Sequence, residues 1–325
     1  MAFVTGPARK EKMIMTPKIY IDGKDGTTGL QIYDRLAART DIELLLIDED
    51  KRKDPAERKR LMDSADIVFL CLPDAAAVEA VGLVENPNTR IIDASTAHRT
   101  DPHWAYGFPE LSKVHREKIA GSKRVANPGC HATGFISGTY PLAALGILPK
   151  DYPLTCYSLT GYSGGGKKMI AQYEGDKTED LFSPRIYGLS LQHKHLPEMQ
   201  KICGLTRPPV FCPIVDDYYK GMATTISLHN DLLHGAGSAK AVWEALSDYY
   251  KDETLVKVAP FGWDQSMIAA NTMAGKDTLT LIVCGNDTHT TVTALFDNLG
   301  KGASGAAVQN MNILLGLEET TGLNL

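Results

Sequence analysis

A chain of 325 residues with 43% hydrophobic content can build two domains of ordinary size, each with its own core. The formal net charge of −5, a pI near 6.0 and the lack of a basic stripe interleaved with aromatics argue against a nucleic-acid partner. No apolar run approaches the ~18 residues of a membrane span, and the six cysteines (71, 130, 156, 203, 212, 284) form no C-x-x-C pair, which argues against a zinc site or a disulfide framework and for a reducing cytoplasm.

Residues 1–16 carry basic residues without a following apolar segment and read as a flexible leader rather than a signal peptide. "PKIYIDG" (17–23) reads as a first strand. "GKDGTTG" (23–29) follows, and then "LQIYDRLAART", whose Leu30, Ile32, Tyr33 and Leu36 suit a helix. "DIELLLID" reads as a second strand buried on both faces by its continuous Leu-Ile content. A short polar helix "DPAERKRLMDS", a strand "ADIVFLCLP", a helix "DAAAVEAVGLVE" and a strand "TRIIDAS" continue the alternation. The basic run from Lys51 to Arg60, broken by acids, reads as a solvated helix face. Strand–helix alternation predicts a doubly wound parallel sheet.

The rhythm changes after residue 126. "LTCYSLTGYSGGG", "MATTISLHN", "LVKVAP" and "TLTLIVCGN" suit a mixed or antiparallel sheet, and the tail from Gly302 reads as a glycine-rich loop followed by an amphipathic helix. The expected division is a dinucleotide-binding domain over 17–126, a catalytic and oligomerisation domain over 127–302, and a last helix within 303–325 that returns to the first domain.

Three features carry chemistry. Gly23, Gly26 and Gly29 sit in a strand-to-helix turn, where glycines let the backbone approach a pyrophosphate and a helix start offers free N–H groups. Cys130 follows Asn-Pro-Gly and opens a helix-like run, so it is either an activated thiolate at a helix N-terminus or a small buried residue. His193 and His195, two apart in "HKHLPE", can share a face; they suit a thiol–imidazole pair, two surface histidines or a metal site, and no further ligand cluster supports a metal. A cysteine, a histidine and a dinucleotide loop together suggest thiolate attack on an acyl group coupled to hydride transfer. His131, beside the cysteine, has no assigned role, and helix geometry is expected to turn it away.

Seven segments, "GTTG" (26–29), "DASTAHR" (93–99), "YGFPEL" (106–111), "NPGCHATG" (127–134), "GYSGGGKK" (161–168), "HKHLPE" (193–198) and "GKGASGAAVQNMN" (300–312), occur in an order that resembles the N-acetyl-γ-glutamyl-phosphate reductases of arginine biosynthesis, in their shorter type 2 form. The likeness spans nearly the whole chain. It implies a Rossmann-type domain joined to an α/β domain like that of glyceraldehyde-3-phosphate dehydrogenase. It implies reductive dephosphorylation of N-acetyl-L-glutamyl 5-phosphate with NADP(H), in a cytoplasmic homodimer or homotetramer. Carried over, Cys130 is the nucleophile, His195 the acid/base and Glu198 its orienting partner. Arg99, His193, Tyr187, Asn127 and Ser163 are implied to meet substrate. Gly23, Gly26, Thr27, Thr28, Gly29, Arg52, Ser95, Gly164, Gly165 and Asn310 are implied to meet the cofactor.

The stretch after the second strand is a departure. Asp48, Glu49 and Asp50 lean toward NAD by spacing, whereas Arg52 and Lys53 can meet a 2′-phosphate. The nearest alternative is an aspartate-semialdehyde dehydrogenase of the same architecture. A non-catalytic dinucleotide sensor is expected to lack Cys130 or His195.

Overall fold

The computed structural model describes residues 16–325; the leader read over 1–16 lies, apart from residue 16, outside the described residues. The first sheet is wholly parallel, with six strands in the order β2-β1-β3-β4-β6-β5. They are β1 (Lys18–Asp22), β2 (Glu43–Leu45), β3 (Ile67–Leu70), β4 (Arg90–Asp93), β5 (Ala105–Tyr106) and β6 (Arg124–Ala126). Helices α1 (Thr27–Ala37), α2 (Pro55–Ser64), α3 (Asp74–Leu83) and α4 (Lys113–Gly121) connect them. The central strand β3, Ile-Val-Phe-Leu, is buried along its whole length, as a strand covered on both faces must be. The second strand departs from its expectation. It is three residues long, lies at the sheet edge and is only half covered, with Leu46 exposed just beyond it. Its continuous Leu-Ile content lines a cavity instead. The helix α2 is started by Asp54, whose carboxylate accepts from the Ala56 N–H, with Pro55 in the first turn.

The second sheet is mixed, with the order β11-β12-β13-β10-β7-β9-β8. Its strands are β7 (Thr155–Gly161), β8 (Arg185–Ile186), β9 (Val210–Asp216), β10 (Met222–His229), β11 (Val256–Val258), β12 (Leu279–Gly285) and β13 (His289–Phe296). The pairs β7–β9 and β11–β12 are parallel and the others antiparallel. Helices α5 (Cys130–Ala144) and α8 (Ala239–Tyr249) pack on it through Phe135, Ile136, Val242 and Leu246 in one apolar cluster with Ile226, Val292 and Phe296. Two further helices, α6 (Gly166–Glu174) and α7 (Leu196–Ile202), lie in the long connections.

The tail forms a π-helical turn (Gly300–Ser304) running into α9 (Gly305–Leu315). The helix is buried from Gly305 to Leu314, so it is not the amphipathic helix expected. Ala307, Val308 and Met311 pack with Ile19, Ile21 and Ile92 of the first sheet. Its polar residues are buried and bonded: Asn312 accepts from Arg39 and donates to the Glu319 and Thr321 carbonyls. Gln309 is likewise bonded through both amide atoms, whereas Asn310 donates through its amide and its Oδ1 has no partner among the described residues.

Candidate active site

Cys130 is the first residue of α5, delivered by the Asn127-Pro128-Gly129 turn after β6. The Asn127 N–H donates to the Asp93 carbonyl (2.8 Å) and its side chain to the Ala303 carbonyl (3.0 Å), which ties the turn to β4 and to the tail. Gly129 caps the helix without a side-chain bond. A Cβ there would stand 2.6 Å from His195 Nε2 and closer still to Arg99 Nη1. Glycine is therefore required for the close approach of both groups to the turn that carries the thiol. His195 itself is buried, and among the described residues its Nδ1 has no hydrogen-bond partner.

Glu198 does not orient His195 by a hydrogen bond. Its Oε2 accepts from Arg99 Nη1 (3.2 Å), and its Oε1 accepts from the Tyr106 hydroxyl (2.6 Å) and the Gly129 N–H (2.9 Å). The three-residue spacing at the start of α7 suggested a local partner, but the carboxylate reaches across to β5 and the α5 turn. Arg99 is buried, with Nε on the Asn127 carbonyl and Nη2 on the Ala94 carbonyl.

His131 is turned toward the site, contrary to the expectation from helix geometry. Its ring lies 5.6 Å from that of His193 and 5.8 Å from that of His195, between centroids. Its Nε2 meets the Tyr187 hydroxyl at 2.6 Å. His193 and His195 pack edge to face at 4.8 Å, so the two-apart spacing does bring the rings together. Among the described residues no group of three His, Cys, Asp or Glu could hold a metal ion.

These side chains share a cavity of about 490 Å³. Cys130, His131, Tyr187, His193, His195, Asn127 and Ser163 line it with the loop Gly164–Gly166, and among the described residues no carboxylate does. Its charged residues are Arg99 and Lys194, the latter unremarked in the sequence although it stands between the two histidines. Burial pushes the Cys130 thiol above its ordinary value, against Arg99 and the His131 N–H, which pull it down. The helix start does not make a resting thiolate, because loss of hydration outweighs these groups. Burial, reinforced by Arg99, holds His195 well below the usual imidazole range. It pushes His131 down to about 3 and His193 to about 4. At neutral pH the pair therefore rests as thiol and neutral imidazole.

The cavity continues to Gly26, Thr27 and Thr28 at the start of α1, a helix with no side-chain cap. A second cavity, about 350 Å³, runs from Gly23 past the end of β2 and is lined by Arg52, Lys53 and Arg58. The residues fit a dinucleotide. A Cβ on Gly29 would collide with the Gly23 carbonyl, and one on Gly23 would collide with the Cys71 carbonyl, so both glycines close the turn. Gly29 thus shapes the loop rather than lining either cavity. Of the acidic run, Glu49 lines the second cavity, as do Asp22 and Asp25, whereas Asp48 and Asp50 do not, and Asp48 pairs with Lys51. Arg58 is not on a solvated face: it is largely buried against Asp22 at 2.7 Å.

Two expected cofactor contacts point elsewhere. The Ser95 hydroxyl donates to Asp93 Oδ2 (2.7 Å) and Ser95 lines neither cavity. Asn310 is fully buried in α9, where its amide donates to the Gly107 carbonyl (2.9 Å) and Asn127 Oδ1 (3.2 Å). Both positions support the loops behind the cavity. Ser163 accepts from Asn298 Nδ2 (3.0 Å), a lining residue outside the motifs noted in the sequence.

The fold and this site define a class. Family models for semialdehyde dehydrogenases match the chain twice, the NAD binding domain over residues 18–122 and the dimerisation domain over 130–298. Aspartate semialdehyde dehydrogenase II from Vibrio cholerae, solved as a complex with ASA, is similar in fold with a TM-score of 0.71 at 14% identity, covering 93% of this chain and 99% of that one. At higher identity the similar proteins are more particular. An N-acetyl-gamma-glutamyl-phosphate reductase of Sinorhizobium medicae is 50% identical over 308 residues, covering 93% of this chain and 99% of the relative. An N-acetyl-gamma-glutamyl-phosphate reductase 2 of Nostoc is 48% identical over 321 residues, covering 94% and 99%. The chain belongs to the N-acetyl-gamma-glutamyl-phosphate reductase family.

Proposed function

We propose that the protein reductively dephosphorylates N-acetyl-L-glutamyl 5-phosphate to the 5-semialdehyde with NADP(H), in arginine biosynthesis. The observation that carries this reading is one cavity that holds a thiol, a neutral imidazole and two cations, with no carboxylate lining it among the described residues. A multiply anionic acyl phosphate suits such a lining. The family supports the substrate, and the basic residues of the second cavity support NADP(H) over NAD(H).

Arg99 and Lys194 attract and align the acyl phosphate. Its acyl carbon is attacked by Cys130 as the thiol proton passes to His195, whose burial keeps it a free base at neutral pH. The C–S bond forms as the bond to phosphate breaks, leaving a thioester on Cys130. N–H groups at the start of α5 face the developing negative oxygen. NADP(H), held by the Gly23–Thr28 loop and by Arg52, supplies the hydride equivalent when bound. His195 then returns its proton to the thiolate sulfur as the aldehyde departs. Glu198 acts through Arg99 and the Gly129 peptide, both of which it holds.

Residues 17–126 serve as the NADP-binding domain and 127–302 as the catalytic domain, with 303–325 returning to the first. The dimerisation-domain likeness supports a homodimer or homotetramer. Among the described residues no helix is long and apolar enough to cross a membrane. The six cysteines are free, which suits a reducing cytoplasm.

The test is phosphate-dependent NADP⁺ reduction with N-acetylglutamate semialdehyde, run beside aspartate semialdehyde. Turnover of the first supports the assignment; turnover of the second alone overturns it. Cys130→Ser is expected to abolish turnover while nucleotide binding persists, and a variant at the wild-type rate would refute the covalent route.

A further inference from the structure

A chain of four polar side chains leads from the second sheet into the cavity. Thr224 Oγ1 lies 2.7 Å from Ser158 Oγ, Ser158 Oγ lies 2.8 Å from His131 Nδ1, and His131 Nε2 lies 2.6 Å from the Tyr187 hydroxyl. Each hydroxyl has one hydrogen to donate, and a neutral imidazole has one N–H. Two cases follow, set by which imidazole nitrogen carries the hydrogen.

If the hydrogens run inward, Tyr187 donates to Nε2, Nδ1–H donates to Ser158 and Ser158 donates to Thr224. The Thr224 hydrogen is then left over or, if Ser158 accepts from both neighbours, that of Ser158, which is fully buried. Thr224 is 1% exposed, and among the described residues its hydroxyl has no hydrogen-bond partner but Ser158. It is pressed against α5, where a Cβ on Gly134 would stand 2.5 Å from Oγ1. A buried donor without an acceptor costs ~1–3 kcal/mol. If they run outward, Thr224 donates to Ser158, Ser158 to Nδ1, and Nε2–H to the Tyr187 oxygen. Every interior donor is then satisfied, and the hydrogen left over is that of Tyr187, which lines the active cavity.

Resting on the reaction proposed above, we propose that His131 is a positioning residue, locked as the Nε2–H tautomer, which turns the Tyr187 O–H into a donor aimed at an oxygen of the bound acyl compound. The ring is held for this task. It packs edge to face on Phe211 at 5.2 Å and on His193 at 5.6 Å, and no carboxylate accepts from it to favour the doubly protonated form. Tyr187 keeps its proton, because burial and the neighbouring Cys130 raise its phenol above the ordinary value.

The tautomer is read on the full-length protein by long-range ¹⁵N–¹H correlation of ¹⁵N-labelled histidine, with His131 assigned by the signal lost in His131→Gln. An Nε2–H pattern supports the proposal; an Nδ1–H pattern overturns it. This measurement needs no substrate, so its failure is distinguishable from failure of the reaction assignment. In the enzyme assay, Tyr187→Phe is expected to lower kcat/KM by ~10-fold or more, the loss of one aimed hydrogen bond. His131→Leu is expected to lose about as much. The double variant should be no worse than either single one, because the two residues act as one donor. His131→Gln, whose amide N–H can replace Nε2–H, should recover most of the rate. Multiplied losses in the double variant, or a wild-type rate in Tyr187→Phe, would overturn the proposal.

Discussion

Arg99 and Glu198 form a buried ion pair, Nη1 to Oε2 at 3.2 Å, beside the turn that presents Cys130. The same carboxylate takes the Gly129 N–H, so one side chain fixes both a cation of the cavity and the peptide preceding the thiol. Removing it leaves Arg99 buried without its countercharge. Such a loss costs ~3–5 kcal/mol. Glu198→Ala is expected to lower the urea midpoint and to abolish most activity. Glu198→Gln can still accept from Gly129 and Tyr106, so it should fold better while losing kcat/KM. Equal urea midpoints for wild type and Glu198→Ala would refute the structural part of this argument.

Cys130 should behave as a resting thiol. Burial raises its pKa, and Arg99 and the helix start do not compensate. The rate of iodoacetamide alkylation at Cys130, followed by mass spectrometry of the free protein, is therefore expected to climb with pH and to keep climbing above ~8.5, the ordinary thiol value. A rate already level between pH 6 and 8 would mean a thiolate at rest, with His195 protonated beside it.

Much of this architecture was legible in the chain because it depends on local rules. The parallel half follows from alternating apolar runs and helices, and the Asn127-Pro128-Gly129 turn announces a helix start at Cys130. The two-residue spacing of His193 and His195 likewise survives folding as a packed pair. What was not legible depends on which distant element arrives at a side chain. Glu198 is three residues from His195, yet Arg99, Tyr106 and Gly129 claim its oxygens. His131 departs from simple helix geometry because β7 and the Tyr187 loop, not the helix alone, decide where its ring finds partners. Asn310 and Ser95 carry polar groups of the right kind, but other buried groups needed them more. The Leu-rich second strand reads as interior because sequence does not say which strand ends at the edge.

The histidine cluster predicts an acid-sensitive fold. His131 is pushed down to about 3, His193 to about 4 and His195 well below its usual range, all mainly by burial. In the unfolded chain each takes a proton near pH ~6.5. With folded values depressed, the unfolded state binds more protons below that pH. The stability these residues contribute is present above ~6.5 and is lost as pH falls toward the folded values. Each histidine adds a slope approaching ~1.4 kcal/mol per pH unit in that window. Urea midpoints measured from pH 7 to 4 should fall steeply in the wild type and less steeply in His193→Gln. Identical slopes would show that His193 titrates normally in the folded protein.

Coenzyme choice should rest on the second cavity, which Arg52 and Lys53 line together with Glu49, and which Asp48 does not. Arg52 is half exposed and pairs with Asp25 and, at 3.7 Å, with Glu49, so removing it should barely alter stability. A 2′-phosphate that it meets would lose one charge-assisted bond, worth roughly 1.5–3 kcal/mol. Arg52→Gln is therefore expected to weaken NADPH binding by ~10-fold or more and to leave NADH binding nearly unchanged. Fluorescence titration of both nucleotides checks this, and raising the salt should narrow the NADPH difference because the contact is exposed. Equal weakening of both would place Arg52 on the shared part of the dinucleotide. No weakening of either would move the 2′-phosphate contact to Lys53, whose substitution by Gln should then reproduce the selective loss.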